Sequence, residues 1–248
     1  MRLWDIIRFM QLFEVSELKV RYGAMEAVKG VSFCLGRGET LGIVGESGSG
    51  KSTVAKTLIG LEKPFSGRIV CNAKSVQMVF QDAVGSLNPR MTVRQTLEET
   101  LKIKRVSNRT AAGLLDIVGL SRAVLEQYPR EMSGGQCQRV SIARALACEP
   151  DVLIADEPVS ALDVSVQARI LNLLRDLRRE LGLAILLIAH DLAVVKNVCD
   201  RVCVMHRGLF VDCGNAADVF ESPQSEYTKR LLEAVPDVSR ALARRQRA

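Results

Sequence analysis

The stretch TLGIVGESGSGKST at residues 40–53 decides the fold of this chain. Residues 45–53 match the pattern G-x-x-x-x-G-K-[S/T], whose glycines allow backbone N–H groups to surround phosphate oxygens. An apolar run precedes this loop, and residues 52–61 carry apolar side chains at helical spacing. The sequence therefore predicts a strand, a phosphate-binding loop and a helix whose N-terminus attracts anions. The predicted nucleotide contacts in the loop are Gly45, Glu46, Ser47, Gly48, Ser49, Gly50, Lys51, Ser52 and Thr53.

An acidic pair, Asp156 and Glu157, follows an apolar run at residues 152–155. A carboxylate at the end of a buried strand can hold Mg²⁺ directly or through water, together with the Ser52 hydroxyl. Lys51 would neutralise the terminal phosphates of a nucleotide. Glu157 can act as the general base on the water that attacks the γ-phosphate. These residues predict an ATPase that uses ATP and Mg²⁺.

Two further candidate residues, Gln81 and His190, also stand directly after predicted strands. Gln81 follows a predicted strand at residues 76–80, and His190 follows a predicted strand at residues 184–189. Gln81 can bind Mg²⁺ or the attacking water, and His190 can reach a γ-phosphate from the tip of its strand. Taken alone, Gln81 is equally suited to a sheet edge, and a lone histidine is often only a hydrogen-bonded structural residue. Their place among the other motifs makes both catalytic candidates.

A Ser-Gly-Gly-Gln turn opens a predicted helix at residues 135–147. The turn consists of Ser133, Gly134, Gly135 and Gln136. A helix N-terminus of this kind presents a second set of backbone N–H groups to an anion. Because the phosphate loop already supplies one such set, the second set suits a nucleotide held by another copy or by a partner. The sequence therefore indicates an ATPase that works as two chains.

Composition and length bound the remaining possibilities. A chain of 248 residues with 48% hydrophobic and 25% charged residues can bury a substantial core. The longest apolar run, residues 183–189, is too short to cross a bilayer, and residues 1–13 lack the pattern of a signal peptide, so we expect a cytosolic chain. The seven cysteines include no Cys-x-x-Cys pair and are expected to be small buried hydrophobes. The net charge of +6 is carried partly by a basic, solvated C-terminus.

Strand and helix signals alternate along the chain, which predicts an α/β fold with a mainly parallel sheet covered on both faces. Residues 202–206 and 209–213 flank Arg207-Gly208, a two-residue hairpin turn. Residues 92–125 have a helical pattern and predict an inserted lobe. We place the outer limits of that lobe near residues 88–145.

The phosphate loop occurs only once in the sequence, so residues 1–248 are expected to form a single domain and not a fused pair. The end of the chain, near residues 215–248, is expected to form a helical tail that begins with two short helices.

In their order, these motifs resemble those of the ATP-binding subunit of ABC transporters. The resemblance adds a loop formed by Ser160, Ala161, Leu162 and Asp163. It implies a P-loop NTPase of the ABC ATPase type, in which a head-to-tail dimer holds ATP between one phosphate loop and the other Ser-Gly-Gly-Gln turn. Residues 160–163 would then lie at the dimer interface, and Tyr22 would stack on adenine, although an ordinary edge-strand tyrosine would look the same.

Two further stretches narrow the resemblance. FQDAVGSLNPR at residues 80–90 and SPQSEYTKRLLEAVP at residues 222–236 resemble the ATPases of peptide and nickel importers. The resemblance implies two transmembrane permease subunits, an external solute-binding protein, a peripheral position on the cytoplasmic face of the inner membrane, and no nucleic acid. It also implies that the lobe receives a short helix of the permease, for which the candidates are Val84, Leu87 and Met91, beside Arg90.

The sequence departs from the importer pattern in places and leaves alternatives open. Ala83 and Met132 replace the usual proline and leucine, and the short span between Lys51 and Gln81 predicts a trimmed antiparallel arm at residues 64–75. A DNA-repair or chromosome ATPase usually carries a coiled coil or zinc cysteines, and a translation ATPase usually carries two units. A non-hydrolysing subunit would usually lack a catalytic carboxylate.

Overall fold

The computed structural model describes residues 11–160 and 162–233. The strands are β1 (Gln11–Tyr22), β2 (Met25–Gly36), β3 (Thr40–Val44), β4 (Ser66–Cys71), β5 (Val76–Val79), β6 (Val152–Asp156), β7 (Ala184–Ala189), β8 (Arg201–His206) and β9 (Leu209–Asn215). The helices are α1 (Lys51–Leu58), α2 (Val93–Lys104), α3 (Ala111–Ile117), α4 (Gly134–Leu146), α5 (Val164–Leu181), α6 (Leu192–Lys196), α7 (Ala216–Glu221) and α8 (Glu226–Glu233). Within the described part of the chain, no helix is both long and apolar enough to span a membrane.

A six-stranded sheet in the order β5-β6-β7-β3-β8-β9 forms the centre of the fold. The first five strands of this order are parallel, and β9 pairs antiparallel with β8. Every residue of β3, β6 and β7 is buried, as expected for strands covered on both faces. The predicted parallel α/β core is confirmed, and the carboxyl ends of these strands meet at one edge.

A second, three-stranded antiparallel sheet has the order β2-β1-β4. Only β4 lies in the segment at residues 64–75 where the sequence predicted an antiparallel arm. The two long strands β1 and β2 were missed because several register shifts interrupt their pairing, one of them between Val15 and Leu18, beside Glu17 at φ 51°. Such bulges break the alternation of apolar and polar residues on which strand prediction depends.

Helices α2 and α3 fall within residues 92–125, where the sequence predicted helices, and they pack on α4. Their contact is made by fully buried leucines, among them Leu97, Leu114 and Leu115. Leu87 is 3% exposed and belongs to the same core, so the expectation that it lines an open groove was wrong. Val84 is 48% exposed and remains at the surface. Helix α4 packs beneath residues 82–91, where Arg144 donates a 2.6 Å hydrogen bond to the Ser86 carbonyl. This packing explains why Leu87 is buried while Val84 is exposed.

The hairpin β8–β9 was predicted correctly. Arg207 and Gly208 have φ values of 47° and 87°, as a tight turn between twisted strands requires. Cys203 and Cys213 face each other across this hairpin with a Cα separation of 4.2 Å and are joined as a disulfide. The expectation that the cysteines are small buried hydrophobes was therefore wrong for the exposed, paired Cys213, because the pairing register of two strands, and not a sequence motif, brings the two cysteines together. The tail beyond residue 233 lies outside the described residues.

We expect Leu97→Ala to lower the free energy of unfolding by about 2–5 kcal/mol, since it would leave a cavity between α2 and α4. Urea unfolding followed by circular dichroism measures this change. Ile103→Ala on the same helix is the control, because Ile103 is 70% exposed and its truncation should cost less than about 0.5 kcal/mol. Equal effects of the two variants would contradict the packing described above.

Candidate nucleotide site

The phosphate loop connects β3 to the N-terminus of α1. Gly50 is the N-cap of this helix at φ 108°, and a Cβ at this position would lie 2.5 Å from the Ala27 carbonyl oxygen. A Cβ on Gly45 would lie 2.1 Å from the carbonyl oxygen of Met205. The loop therefore needs glycine at both positions to pass between β2 and β8.

Lys51 is the first residue of α1 and is only 3% exposed. Its Nζ donates hydrogen bonds of 2.7 and 2.8 Å to the carbonyl oxygens of Gly45 and Glu46. Burial lowers the pKa of Lys51, while the charges of Glu157 and Asp156 oppose that shift. A nucleotide phosphate in the loop would supply a direct counter-charge for this ammonium group.

The Ser52 hydroxyl donates a 2.9 Å hydrogen bond to Oδ1 of Asp156. Asp156 ends β6 and is 4% exposed, and its burial raises the pKa of its carboxyl group. A hydroxyl and a carboxylate that meet beside a phosphate loop are oxygen ligands of the type that Mg²⁺ prefers. The residues present therefore fit Mg²⁺, with Ser52 and Asp156 in contact and Gln81 on the same cleft.

Gln81, Glu157 and His190 come together at the carboxyl edge of the sheet. Gln81 Nε2 donates a 3.1 Å hydrogen bond to Glu157 Oε2, and His190 Nδ1 lies 3.4 Å from the same oxygen. Gln81 Nε2 also lies 3.3 Å from the Ser160 hydroxyl. Glu157 has a positive φ of 46°, a strained value for a residue with a side chain, and such strain is frequent at functional sites. Gln81 and His190 therefore both lie next to the same carboxylate oxygen of Glu157, the third predicted catalytic residue.

These groups line an open cleft of about 400 Å³. Its lining residues are Tyr22, Met25, Ala27, Ser47, Gly48, Gly50, Lys51, Ser52, Thr53, Gln81, Glu157 and His190. Burial raises the pKa of the Tyr22 hydroxyl. Met25 and Ala27 were missed by the sequence analysis, which carried no signal for them beyond their nearness to Tyr22. The cleft brings an aromatic ring, a phosphate loop and the predicted catalytic carboxylate of Glu157 to one surface.

The Ser-Gly-Gly-Gln turn caps α4. Ser133 Oγ accepts a 3.3 Å hydrogen bond from the Gln136 N–H, and Gln136 Oε1 accepts a 2.8 Å bond from the Ser133 N–H. A Cβ on Gly135 would lie 2.5 Å from Val166, so α4 and α5 require a glycine there. The four turn residues are absent from the lining of the nucleotide cleft. Gly134 instead lines a second cavity of about 330 Å³.

The predicted interface loop follows Glu157 and leads into α5. The Ser160 hydroxyl donates a 3.2 Å hydrogen bond to the Glu157 carbonyl, and Leu162 packs against the core. Asp163 is the N-cap of α5, and hydrogen bonds from Ser165 and the Val166 N–H lower its pKa. Ala161 lies outside the described residues.

Comparison with known proteins assigns the family. A family model described as "ABC transporter" matches residues 28–160. The oligopeptide transport ATP-binding protein OppF of Lactococcus lactis subsp. lactis is 47% identical over 232 residues, which are 86% of this chain and 73% of that protein. The chain belongs to the ABC transporter ATP-binding family. OppF of Salmonella typhimurium is 46% identical to this ABC ATPase over 260 residues, covering 91% of the chain and 78% of the relative.

A solved structure supports the same conclusion. A dimeric ATP-binding cassette in a post-hydrolysis state, bound to ADP and Pi, superposes with a TM-score of 0.73 at 27% identity, covering 82% of this chain and 98% of that one. The predicted fold of the ABC ATPase type is thus confirmed. The protein is an ATP-binding and ATP-hydrolysing subunit that powers transport.

We expect Gly50→Ala to lower the free energy of unfolding of the nucleotide-free protein by about 2 kcal/mol or more, because the new Cβ meets a backbone oxygen in a left-handed conformation. ATP binding should be lost as well. Gly60→Ala is the matched control: φ is also positive there, at 79°, but nothing lies within 4 Å. A tolerated Gly50→Ala variant with normal ATP affinity would contradict the loop geometry.

Proposed function

We propose that this ABC ATPase hydrolyses ATP with Glu157 as the general base and thereby drives the import of oligopeptides. The convergence of Gln81, Glu157 and His190 on the cleft that holds Lys51 supports the proposal. The relatives are named for oligopeptide transport, which suggests an oligopeptide as the cargo. A nickel complex is the second candidate, because the stretches at residues 80–90 and 222–236 suit both importer types.

In the proposed reaction, the Glu157 carboxylate takes a proton from a water that approaches the γ-phosphate. Gln81 Nε2 and His190 Nδ1 lie within 3.1 and 3.4 Å of Glu157 Oε2, so they orient the base and the water. Lys51 stabilises the negative charge on the terminal phosphates. Mg²⁺, held by Ser52 and Asp156 with Gln81 nearby, would offset charge on the phosphate oxygens. Tyr22 offers its ring to the adenine.

The other half of the nucleotide site is assigned to a second ATPase subunit, identical or homologous. The backbone N–H groups at Ser133, Gly134, Gly135 and Gln136 sit at a helix N-terminus outside the chain's own cleft, where they suit the phosphates of a neighbour. The dimeric form of the solved ATP-binding cassette is consistent with this assignment. Residues 160–163 would meet their counterparts across the same interface.

The remaining partners are two permease subunits and, through them, an external solute-binding protein. The ATPase would then be peripheral to the cytoplasmic face of the inner membrane. Val84 is the exposed apolar residue of the segment that joins Gln81 to the helical lobe, which supports a contact with the permease at this point. We keep the domain limits proposed from the sequence, which are one domain with a lobe at residues 88–145 and a tail at residues 215–248. In this division the lobe faces the permease.

We expect Glu157→Gln to retain ATP binding and to slow hydrolysis by about 10²-fold or more, the usual effect of losing a general base. Phosphate release and nucleotide titration measure the two properties, and light scattering should detect an ATP-bound dimer. Glu180→Gln is the control, since Glu180 is exposed at the end of α5. Unchanged turnover in the Glu157 variant would refute the base assignment.

We expect Val84→Asp to leave the ATPase activity of the isolated subunit within about twofold of the wild type, while uptake by vesicles that contain the whole transporter is lost. Leu181→Asp, at the exposed end of α5, is the control. Labelled oligopeptide and radioactive nickel ion are supplied separately. Normal peptide uptake by the variant would refute docking at Val84. If the wild type takes up nickel and no peptide, the cargo assignment changes from an oligopeptide to a metal.

A further inference from the structure

The C-terminal helix α8 contacts the phosphate loop directly. Glu46, the second residue of the loop, donates its backbone N–H to the hydroxyl oxygen of Tyr227 on α8 at 3.1 Å. Tyr227 belongs to the stretch at residues 222–236, which the sequence analysis used only to choose a subfamily and to which it gave no role. This contact joins residues that are far apart in the sequence, so periodicity and motif spacing give no sign of it.

Helix α8 is firmly attached to the hairpin below it. Asp212 on β9 accepts hydrogen bonds of 3.2 and 3.0 Å from the backbone N–H groups of Gln224 and Ser225. The same carboxylate accepts a hydrogen bond from the hydroxyl of Thr228, a completely buried residue. A carboxylate with three donors at the start of a helix fixes the direction of that helix. Tyr227 is thus presented from a fixed support.

The hairpin β8–β9 contacts the loop as well. The ring of His206 packs on the ring of Tyr227 with a centroid distance of 3.9 Å. Two residues later, the Gly208 N–H donates a 2.9 Å hydrogen bond to the carbonyl oxygen of Ser49. Tyr227 and Gly208 therefore hold the phosphate loop at Glu46 and at Ser49.

We propose that Tyr227 is a positioning residue that holds the phosphate loop in its nucleotide-binding conformation before ATP arrives. The proposal rests on the proposed role of the loop in binding ATP. A loop that is already ordered loses less conformational entropy when a ligand binds, so its affinity is higher. Tyr227 is not among the residues that line the cleft, and its hydroxyl contacts the backbone of the loop, so its effect should fall on binding and not on the chemical step.

The decisive variant is Tyr227→Phe, which removes the hydroxyl and keeps the ring against His206. We expect the KM for ATP to rise about three- to tenfold, the range for losing one neutral hydrogen bond, with kcat within about twofold of the wild type. In the nucleotide-free protein, hydrogen–deuterium exchange should accelerate in the peptide that covers residues 45–50 and stay unchanged in β3 and β6. Glu233→Gln is the control on the same helix, because Glu233 is exposed at the end of α8.

A second variant, Thr228→Val, weakens the attachment of α8 to Asp212 and should raise the KM in the same direction. The proposal is overturned if Tyr227→Phe changes neither the KM nor the exchange of the loop, or if exchange accelerates throughout the protein, which would indicate a merely structural role. Failure of the wild type to bind ATP would instead refute the proposed function. The exchange of the nucleotide-free protein would still test the Tyr227 contact in that case.

Discussion

The parallel register of β3, β6 and β7 is the constraint on which the site depends. Val44 pairs with Ala189, and Asp156 pairs with Ile188, so the three strands end side by side at one edge. The phosphate loop, Glu157 and His190 follow those ends, and Asp156 is the last residue of β6. Because each strand is buried on both faces, no strand can slide without moving apolar side chains out of the core. The positions of the reacting groups are therefore fixed by packing that lies beneath them.

The same burial makes the charged groups of the site costly. Lys51 and Asp156 are almost fully buried, and burial shifts the pKa of each group toward its neutral form. Loop carbonyls and the Ser52 hydroxyl are their hydrogen-bond partners, and the opposite charges of Lys51 and Asp156 offset part of the cost. Partners without full charge compensate incompletely for lost hydration. Stability is thus given up for a site that contains buried charges, as is usual for functional centres.

Most of the core and of the site could be predicted from the sequence, because both depend on local patterns. A strand followed by a glycine loop or by Asp156 has a recognisable periodicity, and the order of such units determines a parallel sheet. The strands β1 and β2 were missed because bulges interrupt their alternation, which persists over short runs such as residues 31–35. The burial of Leu87, the pairing of Cys203 with Cys213 and the role of Tyr227 depend on contacts between distant elements. Those contacts have no period in the sequence.

Gln81 connects the nucleotide cleft with the cavity bordered by Gly134. With Glu157, it lines both the nucleotide cleft and the cavity bordered by Gly134. Its Nε2 group is already engaged by Glu157 at 3.1 Å and by Ser160 at 3.3 Å. Glu157 and Ser160, the two bonded residues, both line the cavity bordered by Gly134, and the amide oxygen of Gln81 remains available to a ligand in the cleft. One hydrogen-bonded pair, Gln81 and Glu157, therefore lies in the walls of both the cleft and the cavity beside the Ser-Gly-Gly-Gln turn, although no residue of that turn lines the cleft.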